Sequence, residues 1–301
     1  MSIEVNKVTK LYGEQKALDN VSFKVEPGHI VGFLGPNGAG KSTIMKIITC
    51  FIPQTSGDVT VCGYDVVEQP IDVKRQVGYL PEHNPLYLDM YVKEYLDFVG
   101  GVYKIENRKA RVKEMINLVG LEIEQNKKIG ALSKGYRQRV GLAQAMIHDP
   151  KVLILDEPTT GLDPNQLEEI RNLIKNIGKE KTVMLSTHIM QEVEAICDKT
   201  IIINQGKIVA DNETQELQHQ TENNLVLKVE FDKNINVKLL RTINGVNQVK
   251  SISGNFWLFE IKEDAVRNEI FQFAMSNDLV ILSLQKETQS LEQVFKKLTS
   301  N

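Results

Sequence analysis

Nine consecutive residues limit this chain's possible folds more than any other stretch: Gly35-Pro36-Asn37-Gly38-Ala39-Gly40-Lys41-Ser42-Thr43. They follow an apolar run, His29 to Leu34, of the kind a buried parallel strand needs. The segment Ser42 to Phe51 comes next and places Ile44, Ile47 and Ile48 on one helical face, with Pro53 and Gly57 ending it. Strand, glycine-rich loop and helix in that order read as a phosphate cradle. Gly35, Gly38 and Gly40 let the backbone turn tightly and aim its N–H groups inward, and the helix start adds its positive dipole end. In such a loop Lys41 reaches the β- and γ-phosphates as a point charge, the Ser42 hydroxyl takes a place on Mg²⁺, and Thr43 supports the same region.

Around the loop the pattern is α/β. Ile3 to Val8 and Leu18 to Val25 alternate as antiparallel strands. Thr55 to Cys62 and Val77 to Leu80 read as further strands, and Met90 to about Gly141 carries helical periodicity throughout, an all-helical insertion. Strands then return at Val152 to Asp156, Val183 to Ser186 and Thr200 to Ile203, alternating with helices at Asn165 to Ile177 and Met190 to Ile196. That alternation predicts βαβ units and a mainly parallel sheet. Asn212 to Gln220 is polar and reads as a short helix leading into a linker. Beyond it the order βαββαβ suits a small ferredoxin-like α+β domain, closed by a last helix that the capping box Ser290-Leu291-Glu292-Gln293 opens. The expected domains are therefore 1–220, with a helical subdomain at about 84–141, and 221–301.

Composition narrows the class. Thirty-six Lys and Arg against 39 Asp and Glu give a formal charge of −3, which argues against a nucleic-acid partner. Cys50, Cys62 and Cys197 lie far apart with no Cys-x-x-Cys pair and read as reduced core thiols. The first residues show no basic start followed by an apolar block, and the chain has no uninterrupted apolar run of about eighteen residues, so a soluble, cytoplasmic chain is expected.

Two carboxylates, Asp156 and Glu157, stand at the end of the apolar strand Val152 to Leu155, where ligands lie in open α/β sheets. Asp156 suits a water-mediated hold on Mg²⁺, and Glu157 suits polarisation of an attacking water. His188, directly after Val183 to Thr187, is placed to contact a γ-phosphate and hold that water. Leu132-Ser133-Lys134-Gly135-Tyr136 supplies a second anion site, a hydroxyl and a bare backbone N–H at a helix start. One chain has no need of two such sites, but two chains facing each other do, each offering Ser133 and Gly135 to the phosphate held by its partner.

In this order these motifs resemble the ATP-binding subunit of ABC transporters over roughly Ser2 to Gln220. The resemblance implies the P-loop ATPase fold, with an antiparallel β subdomain and a helical insertion. It also implies ATP and Mg²⁺ as ligands, and ATP hydrolysis coupled to transport through separate membrane permease subunits at the inner face of the membrane. By the same resemblance Gly35 to Thr43 match Walker A, Leu132 to Tyr136 the signature, and Asp156 and Glu157 Walker B with its catalytic glutamate. Gly161-Leu162-Asp163 match the D-loop, His188 the switch histidine, and Tyr12 the aromatic residue that stacks on adenine. Tyr12 also fits an ordinary surface aromatic, and Asp163 a helix cap before Pro164.

Three positions depart from the family pattern. Lys134 and Tyr136 stand where Gly and Gln are common, and Glu82 stands where a glutamine normally touches Mg²⁺ and water. Glu82 has three open roles: bound to the metal, protonated, or withdrawn until a partner moves it. Glutamate there, with the lysine in the signature and the ending Ser290 to Phe295, is similar to the ATPases of ABC-2-type exporters, including drug-efflux, polysaccharide and gliding-motility systems. The expected function is therefore a head-to-tail, ATP-dependent homodimer that powers export. The alternatives are an importer ATPase with a ligand-sensing C-terminal domain and a non-transport ABC ATPase.

Overall fold

The computed structural model describes residues 1–219, 225–261, 263, 265–287 and 291–299. The chain folds as two compact units, Met1–Thr214 and Gln215–Asn301. The domain boundary expected between 220 and 221 falls outside the described residues, as does Ser290 of the expected capping box.

In the first unit the alternating N-terminal residues form β1 (Ile3–Tyr12) and β2 (Gln15–Val25), followed by the fully buried β3 (Ile30–Leu34) and α1 (Lys41–Ile48). Next come β4 (Ser56–Val61), β5 (Tyr64–Asp65), α2 (Pro70–Gln76) and β6 (Val77–Leu80). The helical stretch consists of α3 (Val92–Val102), α4 (Arg108–Val119) and α5 (Lys134–Met146). Then follow β7 (Val152–Asp156), α6 (Pro164–Gly178), β8 (Thr182–Thr187), α7 (Met190–Ile196) and β9 (Lys199–Asn204). The unit closes with β10 (Lys207–Glu213), and α8 (Thr214–His219) follows.

β10 corrects the expectation at Asn212 and Glu213, which are strand and not helix. Its residues alternate between exposed and half-buried at the sheet edge, so little apolar patterning marks it. The helix after the glycine loop is also shorter than expected, because the chain turns at Cys50, where φ is 58.

Two sheets enclose α1. An antiparallel sheet runs β2-β1-β4-β5, and a six-stranded sheet runs β10-β9-β3-β8-β7-β6 with only the β9–β10 pair antiparallel. Ile44, Met45, Ile47 and Ile48 of α1 join Val5 and Phe23 from one sheet and Phe33 and Ile154 from the other in a single core. Burying aliphatic side chains contributes about 1.5–3 kcal/mol each, so this layer holds the two sheets together around the helix. The parallel registers place the site: Leu34 pairs with Thr187, Asp156 with Ser186, and Leu80 with Leu155. The carboxyl ends of β3, β8, β7 and β6 therefore form one row, and the loops carrying Gly35, His188, Glu157 and Glu82 leave from the same edge.

The second unit contains β11 (Leu225–Phe231), α9 (Val237–Leu240), β12 (Val246–Ser253), β13 (Phe256–Ile261), α10 (Val266–Ser276), β14 (Ile281–Glu287) and α11 (Leu291–Thr299). Its antiparallel sheet runs β12-β13-β11-β14, the order of a ferredoxin-like βαββαβ unit. The core holds Phe231, Trp257, Phe259 and Ile270. Among the described residues no helix is long and apolar enough to cross a membrane.

Candidate functional site

The aligned strand ends open into a cleft of about 830 Å³. From the glycine loop and the start of α1 it is lined by Asn37, Gly38, Gly40, Lys41, Ser42 and Thr43, and the other strand ends contribute Glu82, Glu157 and His188. Tyr12, at the end of β1, stands on the same wall, 49% exposed, with the Lys10 ammonium 5.3 Å from its ring centre. The glycine loop, Glu82, Glu157 and His188 thus meet because the parallel register aligns their strand ends, whereas Tyr12 reaches the cleft from the antiparallel sheet.

Glycine is required in the loop for two different reasons. Gly38 has φ +79 with open space around it, so the backbone conformation alone selects glycine. Gly40, at φ +111, also lies so close to β2 that a Cβ would sit 2.8 Å from the Ala17 carbonyl oxygen. Gly40 precedes Lys41, the first residue of α1, so the cleft receives N–H groups that have no acceptor within their own helix.

Lys41 is buried and donates to the carbonyl oxygens of Gly35 (2.7 Å) and Pro36 (3.3 Å). Burial pulls its ammonium pKa down, and Glu157, Asp156 and Glu82 act against that shift. Burial likewise pushes the Tyr79 hydroxyl up to about 12, with Asp156 and Glu82 adding to the effect. Three carboxylates therefore converge on one ammonium. Among the described residues no three acids or histidines are grouped closely enough to hold a metal by themselves, so a hard divalent cation such as Mg²⁺ would draw on the Ser42 hydroxyl and one or two carboxylates together with the oxygens of a bound phosphate.

Asp156 and Glu157 are held by a residue of the neighbouring strand. Ser186 donates to Asp156 Oδ1 (2.5 Å), and Glu157 N donates to both Ser186 Oγ (3.0 Å) and Ser186 O (3.2 Å). These bonds keep Glu157 in the left-handed region at φ 50, where a non-glycine residue is strained by roughly 1–3 kcal/mol. The Glu157 carboxylate accepts from Thr160 Oγ1 (3.0 Å) and meets His188 Nδ1 at 2.9 Å. The two expected site residues Glu157 and His188 are thus in direct contact, a pairing that their separate places in the sequence do not announce.

Several expected residues lie elsewhere. Ala39 is buried beneath the loop, and Gly35 packs against β9, a Cβ there falling 2.5 Å from the Ile203 carbonyl oxygen. Pro36 serves the loop through its carbonyl, which accepts from Lys41 Nζ and from Ala39 N at 3.1 Å. Ser133, Gly135 and Asp163 do not line the cleft. Ser133 caps α5, its hydroxyl accepting from Tyr136 N at 3.4 Å, and buried Gly135 faces Gln166 of α6. Asp163 caps α6 by accepting from Gln166 N at 3.0 Å. The Lys134 ammonium lies over Gly161, so the two loops sit side by side on the same unit.

Sequence reasoning missed part of the lining. Gln15, Lys16 and Ala17 reach it from the start of β2, and Gln205 and Gly206 reach it from the turn between β9 and β10. Gly206 N donates to Ala39 O (3.0 Å), and Asp19 N donates to Gly206 O (2.8 Å), so this turn clamps the glycine loop to β2. Its sequence signal is the pair Gln205-Gly206 directly after the strand pattern Thr200 to Ile203. Thr160 was legible in principle as the residue before Gly161.

Residues 18–160 match the family described as ABC transporter. The uncharacterized ABC transporter ATP-binding protein YxlF of Bacillus subtilis (strain 168) is 33% identical over 98% of this chain and 99% of its own length. The bacitracin transport ATP-binding protein BcrA of Bacillus licheniformis is 31% identical over 98% of this chain and 96% of its own. Among solved structures, a dimeric ATP-binding cassette in a post-hydrolysis state bound to ADP and Pi superposes with a TM-score of 0.65. It is 27% identical and covers 70% of this chain and 98% of its own.

Proposed function

The chain belongs to the ATP-binding proteins of ABC transporters, and from that premise we propose that it drives export through separate membrane subunits as a head-to-tail homodimer. It binds and hydrolyses ATP. The observation that carries the assignment of roles is the meeting of the glycine loop, Glu157 and His188 in one cleft. In this reading Lys41 and the N–H groups at the start of α1 bind the β- and γ-phosphates, and Tyr12 stacks on the adenine. Glu157 polarises the attacking water, and His188, bonded to it, holds that water and the γ-phosphate in place. Ser42, Asp156 and Glu82 would hold Mg²⁺, which when bound neutralises phosphate charge.

Ser133 and Gly135 lie outside the cleft of their own chain, which favours a site completed by a second copy. The 3.4 Å cap bond leaves the Ser133 hydroxyl free to donate to a phosphate. In the same reading Asp163, at the start of α6, contributes to that interface. ATP then acts as part of the interface, and hydrolysis lets it reopen. Export is supported by Glu82 with Lys134 in the signature, by the ending Ser290 to Phe295, and by likeness over nearly the whole chain to a protein named for bacitracin transport.

The test is Glu157→Gln. It should keep ATP binding and accumulate as an ATP-bound dimer in size-exclusion chromatography, with turnover down by about 10² or more. Undiminished turnover removes Glu157 from the role of base.

A further inference from the structure

Glu192 is 1% exposed, on the first turn of α7, and its carboxylate bonds to Thr159 and Thr187, neither of which lines the cleft. Burying a carboxylate costs several kcal/mol unless its oxygens are bonded, so an acid retained there calls for a purpose other than filling the core. Both oxygens are bonded, one to the loop after β7 and the other to the last residue of β8. Oε1 accepts from Thr159 Oγ1, and Oε2 accepts from Thr187 Oγ1 at 2.7 Å.

Each threonine adjoins a residue of the proposed chemistry. Thr187 immediately precedes His188, and its hydroxyl also accepts from Ile189 N at 3.1 Å, fixing the backbone on both sides of the histidine. Thr159 immediately precedes Thr160, whose hydroxyl donates to the Glu157 carboxylate. With the contact between Glu157 and His188, a closed ring results: Glu192, Thr187, His188, Glu157, Thr160, Thr159 and back to Glu192. The two covalent steps in it, Thr187 to His188 and Thr159 to Thr160, make the carboxylate a buried strut between the end of β8 and the loop after β7.

We propose that Glu192 is a positioning residue for hydrolysis: its carboxylate, held by Thr159 and Thr187, sets the distance between the water-polarising Glu157 and His188. This rests on the roles given above to Glu157 and His188. A shift of about an ångström in a reacting group costs rate and leaves ground-state binding nearly intact. Most of the phosphate binding comes from the glycine loop and Lys41, with which the ring shares no hydrogen bond, and His188 adds only one contact to the γ-phosphate.

The experiment is steady-state ATPase of the full chain, with thermal melting, for Glu192→Ala, Glu192→Gln, Thr159→Val, Thr159→Ser and Thr187→Val. Glu192→Ala should lower kcat about tenfold or more while KM for ATP moves less than about threefold. Glu192→Gln and Thr159→Ser, which keep a bonding group, should recover most of the rate. Added to Glu157→Gln, Glu192→Ala should cause no further loss, because the strut acts through Glu157. Unchanged kcat in a folded Glu192→Ala, or a loss that adds fully to that of Glu157→Gln, overturns the proposal. If Glu192→Ala does not fold, Thr159→Val and Thr187→Val decide on the same criteria, since each removes one hydroxyl and leaves the carboxylate. Undiminished turnover in Glu157→Gln overturns the underlying assignment and the strut with it, whereas a dead Glu157→Gln beside an unaffected Glu192→Ala overturns the strut alone.

Discussion

Lys41 shows how binding and stability oppose each other at a single residue. Its ammonium is buried to meet phosphate, and burial depresses its pKa below the ordinary 10.5. The unfolded chain therefore holds that proton more tightly than the folded one. The resulting penalty is full below the folded pKa and fades as pH rises from that value toward 10.5. Lys41→Met should thus melt at or above the parent's temperature without nucleotide at pH 7, and the gap should narrow as pH rises into the alkaline range. Mg-ATP should raise the melting temperature of the parent only. A destabilised nucleotide-free variant would show that the bonds to Gly35 and Pro36 outweigh the buried charge. Glu82 is the exposed member of the three acids acting on Lys41. If it helps to hold the cation, Glu82→Gln should raise the Mg²⁺ concentration for half-maximal ATPase by several-fold, roughly the effect of losing one charged oxygen ligand. An unchanged Mg²⁺ dependence would make the departure from glutamine incidental.

Two helix starts, those of α5 and α6, use the same capping chemistry to different degrees. Asp163 makes a 3.0 Å bond to Gln166 N, whereas Ser133 makes a 3.4 Å bond to Tyr136 N. Asp163→Ala should therefore destabilise the first unit by about 1 kcal/mol, while Ser133→Ala should cost clearly less. The order should reverse in the ATPase assay, because the loosely held Ser133 hydroxyl is the one proposed to meet phosphate on a partner. Denaturant titration and turnover of both variants check this. Elements with strong local patterning were legible in the sequence. The five-residue apolar β3 and β7, the glycine loop and the Asp-Glu strand end each declare themselves within a few positions. Elements defined by tertiary position were not: β10 is a polar edge strand, α2 buries only Val73, and the 205–206 turn matters only because it closes over Ala39. Glu192 was hidden for the same reason, since its two partners lie 33 and 5 residues away and meet it only when β7 and β8 pair.

For the whole molecule, the division into units and the proposed dimer lead to separate expectations. The first unit has its own core and the complete cleft, so a chain ending at His219, which retains α8, should stay soluble and be stabilised by ATP on heating. An insoluble product would mean that the first unit needs the second to fold. The dimer itself is tested by mixing two inactive variants. Lys41→Ala lacks phosphate binding in its own cleft but offers an intact Ser133 and Gly135. Ser133→Ala has an intact cleft but a weakened contribution to its partner. In a head-to-tail pair each site takes one half from each chain, so a mixed dimer has one site with both halves intact and one with neither. At equal concentrations about half the dimers are mixed, and about a quarter of all sites are complete, if pairing is random and two-fold symmetric. Turnover in the mixture should therefore recover to about a quarter of the parent's, and diluting it should reduce the rate per chain as pairs dissociate. Were each site built within one chain, mixing would restore nothing, and the rate per chain would not depend on concentration.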